Sequence, residues 1–238
     1  MNKKGNIGAI IALVAIGVLF AGVLIWRIVD KANTQAAIAG YDANSVISGN
    51  AENGNIADHV KGDAEKAKVI IYEYADFQCP GCSSANPRIN KLIEEYNGDL
   101  AVVYRNYLLS YHQNGTAAAS AAEAAGLQGY WKEYADKLFA NQSLWEDASG
   151  ENRTQIFVDM FRTVTGGAGD EAKFKKDMTS EAVKKKINFD AGIAEQVEIT
   201  GTPAFFLDGE RIDFSGTKGE EGFLNVFREK IDEKLGKW

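Results

Sequence analysis

The sequence predicts an α/β fold with an inserted helical subdomain, and three observations carry that prediction. "KVIIYEYADF" (Lys68 to Phe77) and "LAVVYRNYLL" (Leu100 to Leu109) are continuous β-branched and aromatic runs, as strands buried on both faces of a sheet require. Between them Ile89, Leu92, Ile93 and Tyr96 recur at helical spacing until "NGD" at 97–99 ends the helix. Strand, helix and strand make a βαβ unit with parallel strands and a right-handed crossover. Much later, "TPAFFLDGERIDF" (Thr202 to Phe214) sets two short apolar strands around Asp208-Gly209, a hairpin signal that resumes the frame.

From the N-terminus, the first feature is a run of 22 residues without a charge, 5–26, between Lys4 and Arg27. As a helix it is about 33 Å long, enough to cross a bilayer, so residues 1–28 are expected to form one transmembrane helix with Trp26 at its interfacial edge. The positive-inside rule favours a cytoplasmic N-terminus and a body outside. A cleaved signal sequence is the rival reading, with "AIA" (Ala37 to Ala39) as small residues for a peptidase. Residues 29–62, rich in Ala, Gly, Asn and Asp, read as a flexible linker, and 63–238 as the folded domain. The formal charge of −7 divides into +3 on residues 1–31 and −10 on the rest, which excludes nucleic acid as a favoured partner.

Within the domain, about 112–197 is mostly helical and too long for a single crossover. It holds an alanine-rich run with Glu123, then "YWKEYADKLF", "QIFVDMFRTV" and a charged stretch through Lys186. Trp131, Tyr134 and Phe139 fall at helical spacing and are expected in its core. The last helix repeats Phe223, Val226, Phe227, Ile231 and Leu235 at intervals of three and four, an amphipathic face to cover the sheet.

The only two cysteines, Cys79 and Cys82, sit in "CPGC" where the first strand hands over to the first helix of the βαβ unit. At a helix start several backbone N–H groups lack intrahelical partners, so Cys79 is favoured as a thiolate. Cys82, one turn on, can close a disulfide but is more enclosed. Pro80 at the first helical position costs no hydrogen bond. A disulfide across Pro80 and Gly81 closes too short a loop to stabilise the fold much, which makes redox chemistry a better reading than a structural clip. A zinc site would need His59 and His112 as further ligands.

These residues resemble the thioredoxin superfamily and, within it, the membrane-anchored DsbA-like protein-disulfide oxidoreductases. The likeness runs over about 57–238 and is sharpest in "DHVKGDAEKAKVIIYEYADFQCPGC". It implies a thioredoxin-like fold, a catalytic Cys79–Cys82 pair, and Glu73 as a buried acid that moves the proton of Cys82. It also implies a cis-proline at Thr202-Pro203 that faces the sulfurs and offers backbone to an extended substrate, and a helix kink at Pro87. Implied partners are reduced extracytoplasmic proteins and a quinone-linked membrane reoxidase; no metal or organic cofactor is implied. His112 stands where similar proteins often carry a histidine, here with a packing or helix-start role, and His59 reads as a surface or strand-start residue. Strong oxidants of the family have histidine at the position of Gly81, so the direction of electron flow stays open between an oxidase and a reductase or isomerase. A non-enzymatic substrate-holding or metal-carrying module is the alternative of another class.

Overall fold

The computed structural model describes residues 3–237, in two compact units, Met1–Gly40 and Tyr41–Trp238. The first unit is one helix, α1 (Lys3–Ile38). Its described apolar run, Ile11 to Trp26, is exposed throughout and covers sixteen residues, about 24 Å of helix. Among the described residues no helix is long and apolar enough to cross a membrane. The side chains of residues 5–10, the first part of the expected anchor, lie outside the described ones, as do those of Lys3, Lys4, Arg27 and Lys31.

The second unit is built on a five-stranded sheet: β1 (His59–Lys61), β2 (Val69–Ala75), β3 (Leu100–Asn106), β4 (Ala204–Leu207) and β5 (Glu210–Arg211), in the order β1-β3-β2-β4-β5. β2 lies at the centre, parallel to β3 and antiparallel to β4. The crossover from β2 to β3 is α2 (Pro80–Glu95), which carries Pro87 inside it. Six helices follow: α3 (Gly115–Gly126), α4 (Trp131–Ala140), α5 (Gln142–Trp145), α6 (Gly150–Thr165), α7 (Glu171–Asp177) and α8 (Glu181–Gln196). The chain then returns through β4 and β5 to α9 (Gly219–Leu235).

Period-two alternation gives the sheet two different faces. Val69, Ile71, Leu100, Val102, Phe205 and Leu207 pack under α2 and α9, against Ile89, Leu92, Leu224, Phe227 and Ile231. A second core surrounds the redox turn and the helical region, joining Phe77, Cys82 and Tyr104 to Trp131, Tyr134 and Phe139. β3 ends at Asn106, short of the apolar run's end at Leu109, because the Asn106 N–H turns to the Asp190 carboxylate at 3.1 Å.

The expected linker is corrected by the structure. α1 continues to Ile38, and from Tyr41 the chain is folded on the sheet face that carries Tyr72, Tyr74 and Arg105. Arg105, fully buried, donates to the carbonyls of Ala43 and Ser45 at 2.6 and 2.7 Å, and the Tyr72 hydroxyl donates to Asn44 O. Ile47 and Ile56 are buried as well. Composition hid this segment because its anchoring is polar: backbone carbonyls meet a guanidinium that periodicity assigns to an apolar strand.

Asp58 holds the arrangement together. Its carboxylate accepts from Arg105 at 2.8 Å, from Lys186 on α8 at 3.0 Å and from the Ile47 N–H at 3.0 Å. Burial pushes Asp58 up, but Lys186 and then Arg105 outweigh it and hold the carboxyl below its ordinary value. Such a group stabilises the fold above its unfolded pKa and loses that contribution as pH falls through the folded one. Asp58→Ala leaves two buried cations short of a partner and is expected to lower stability by about 3–5 kcal/mol in urea unfolding.

Candidate active site

The last residues of β2 lead through Asp76, Phe77 and Gln78 into Cys79, which caps α2 with extended backbone while Pro80 fills the first turn. Asp76 shapes this turn. Its Oδ1 accepts from the Gln78 N–H at 2.8 Å, and its Oδ2 from the Leu109 N–H and from His112 Nδ1, both at 2.9 Å. Gln78 fastens the turn to the helical region, accepting from the Asn114 N–H and donating to Glu146 O. α5 adds Gln142, which donates to Phe77 O at 2.8 Å.

Both cysteines are free thiols, Cys82 fully buried and Cys79 7% exposed. Across from them the Thr202-Pro203 peptide is cis, and the Cys79 thiol donates to Thr202 O at 3.3 Å. A side-chain carbon on Gly81 would stand 3.0 Å from Pro203 Cδ and 3.6 Å from Cys79 Sγ. Glycine therefore lets the helix start close against the proline; any larger residue there has to displace that contact.

The two sulfurs are driven apart in acidity. The Cys82 thiol, the Thr202 side chain and the N–H groups of Cys82 and Gly81 stabilise the Cys79 thiolate and bring it down to about 5 against the opposing effect of burial. Burial, and then the hydrogen bond and negative charge of Cys79, push Cys82 well above the ordinary thiol range. Thiolate character is thus favoured at Cys79 and opposed at Cys82.

Glu73 lies on central β2 and is 3% exposed, which keeps its carboxyl out of bulk water. Burial pushes it up to about 7; Lys61 pulls it down and Asp136 pushes it up. A carboxyl with that value at the base of the pair can give and take a proton near neutrality. The structure gathers Glu73, Cys79, Pro80, Gly81, Cys82, Thr202 and Pro203 at one place. It gives His112 the buried Asp76 as partner and His59 the buried Glu123, at 2.7 Å. Among the described residues no group of three or more His, Cys, Asp or Glu could hold a metal ion. Sequence reasoning missed Lys61, Asn86, Asn90 and Asp136 beside Glu73, because Lys61 fell in the supposed linker and Asp136 on a helix read only for its apolar face.

A family model described as thioredoxin matches residues 55–224, well over half of the chain. The chain belongs to the thioredoxin family. Several solved structures share its fold. Oxidised BdbD from Bacillus subtilis aligns with a TM-score of 0.62 at 20% identity, covering 81% of this thioredoxin-family chain and 100% of the other. For α-DsbA1 from Wolbachia pipientis the values are 0.58, 22%, 76% and 92%, and for Proteus mirabilis ScsC 0.64, 16%, 98% and 98%. At these identities the likeness is one of fold. Among curated proteins, the Na(+)/H(+) antiporter NhaA 1 of Mycolicibacterium vanbaalenii is 34% identical over 157 residues, 65% of this chain and 24% of the antiporter. The chain spans about a quarter of the length of such relatives.

Ionisation of Cys79 stabilises the folded, reduced chain; the contribution is complete above about 9 and is lost as pH falls through about 5. Thiolate ultraviolet absorbance of the reduced protein is expected to show one transition near pH 5 that Cys79→Ser removes.

Proposed function

We propose that this protein is a thiol:disulfide oxidoreductase that passes a Cys79–Cys82 disulfide to reduced proteins folding outside the cytoplasm. The carrying observation is the opposed acidity of the two sulfurs, Cys79 down to about 5 and Cys82 far up. A stabilised Cys79 thiolate favours the reduced enzyme, and so makes its disulfide the better oxidant. At pH 7 the effect is at most roughly 3 kcal/mol, or about 60 mV on a two-electron couple, less what solvent screening at the sulfur removes.

In the proposed cycle a substrate thiolate attacks Cys79 Sγ, the Cys79–Cys82 bond breaks, and the Cys82 sulfur leaves with the electron pair and takes a proton from Glu73. A second substrate thiolate then attacks the substrate sulfur of the mixed disulfide, and Cys79 leaves as its stable thiolate. The substrate gains a disulfide and the enzyme is left reduced, with Cys82 a thiol and Cys79 a thiolate. Thr202 and Pro203 border the sulfur, where an extended substrate can add its backbone. Reoxidation falls to a quinone-linked membrane partner.

The body is held at the cell membrane by residues 5–26, with the catalytic domain on the outer side. The uncharged 22-residue run and the exposed apolar side chains from Ile11 to Trp26 on α1 support that placement. A reductase or isomerase is the second reading, favoured by glycine at position 81, which supplies no side-chain donor for the thiolate.

Equilibration of the purified protein with glutathione separates the two. An oxidase is expected well above the roughly −270 mV of thioredoxin, and a value near that figure sinks the oxidase reading. Cys79→Ser is expected to abolish disulfide transfer in cells; unchanged activity would leave a binding module instead. Alkaline carbonate should leave the full chain in the membrane pellet, and removal of residues 1–28 should release it.

A further inference from the structure

Glu73 is nearly sealed from water, and its Oε1 has no hydrogen-bond partner among the described residues. A carboxyl that exchanges a proton in every cycle needs a way to bulk solvent. The sulfur face offers little, because Cys82 is fully buried and covers it.

The side of α2 that faces α4 is open. A cleft of about 330 Å³ lies between the two helices, lined by Ser83, Asn86, Pro87, Asn90, Asp136 and Phe139. At its floor Lys61 Nζ stands 2.7 Å from Asp136 Oδ1, and Asn86 and Asn90 donate to the same oxygen at 2.9 and 3.1 Å. Lys61 is 2% exposed, whereas the Asp136 side chain is 28% exposed and lines the cleft.

Register ties this cluster to the redox pair. Lys61 pairs with Val102 and Glu73 with Tyr104, two residues apart on β3, so both side chains share the sheet face under α2. Cys82 and Asn86 are one turn apart on α2. Sheet and helix therefore align two neighbouring pairs, Cys82 with Glu73 and Asn86 with Lys61.

We propose that the cleft between α2 and α4 is the proton route between Glu73 and water, with Asp136 and Lys61 as the positioning pair at its floor. The inference rests on thiol-disulfide exchange at Cys79 and Cys82. When Glu73 gives its proton to the departing Cys82 sulfur, the carboxylate left behind regains one from water in the cleft; in the reverse direction the proton leaves the same way. Asp136, supplied by the helical insertion, balances Lys61, so that the lysine does not trap Glu73 as an anion. The charged and titratable groups that act with or on Glu73 are Lys61 from β1, Asp136 from α4, Cys82 from α2 and Tyr104 from β3.

Infrared difference titration of the oxidised full-length protein tests the pair without requiring exchange activity, with Glu73→Gln identifying the carboxyl band. Asp136→Asn is expected to lower the Glu73 midpoint by about one pH unit and Lys61→Met to raise it by at least as much. A merely structural role moves both variants the same way or neither, and either result overturns the pair. Ala140 also lines the cleft, and Ala140→Trp, which fills it, is expected to slow single-turnover disulfide transfer about tenfold with the Glu73 midpoint unchanged; an unaltered rate overturns the route. If the parent protein shows no exchange at all, the function proposed above fails, and the infrared shifts still decide the role of Asp136 and Lys61.

Discussion

The antiparallel pairing of β2 with β4 sets the geometry on which the site depends. With Tyr74 opposite Ala204, the residues just before β4 lie across from the end of β2, where the chain turns into Cys79. Two stretches 123 residues apart thus meet at one sulfur, which finds the Thr202 carbonyl as a thiol and hydrogen-bond donors as a thiolate. Gly81 permits the approach, since a side-chain carbon there would already crowd Pro203. Slip the register by one residue and the facing pair is lost, because alternate residues point to opposite sides of the sheet.

Buried charge does two separate jobs in this fold. On one face, Asp58 draws Arg105 and Lys186 together and joins the segment after residue 41 to the sheet and to α8. Lys186 passes the chain on to Asp190, Asp190 to Asn106, Asn106 to Glu123, and Glu123 to His59. Every charged member has a partner, the condition under which buried ions are tolerated, while the neutral Asn106 keeps its Oδ1 unpaired. On the other face Glu73 departs from that rule, with an oxygen unpaired and its carboxyl raised to about 7. The contrast sets carboxylates held by cations against a carboxyl that burial leaves near neutrality.

Much of the frame was legible because its elements are locally determined. The runs that became β2 and β3, the helical spacing of Ile89 and Leu92, and the turn at Asp208-Gly209 each state their conformation in a few neighbouring residues. Glu73 and the cysteine pair were legible for a related reason: an acid in an apolar strand and a Cys-x-x-Cys at a helix start are local anomalies. Residues 41–62 were misread because nothing near them in sequence shows Arg105 or Asn86. Lys61 and Asp136, 75 residues apart, look like ordinary surface charges until the fold brings them within 2.7 Å.

In the sequence, periodicity, turn chemistry and the CPGC spacing determined an α/β frame with a redox-type cysteine pair, because each acts over a few residues, and the thioredoxin family was legible there as a resemblance. Tertiary structure alone decided how far the acidities of the two sulfurs and of Glu73 depart from their ordinary values. Those properties come from desolvation and from charges brought close by strand register and helix packing, and neither effect is written in the residues that feel it.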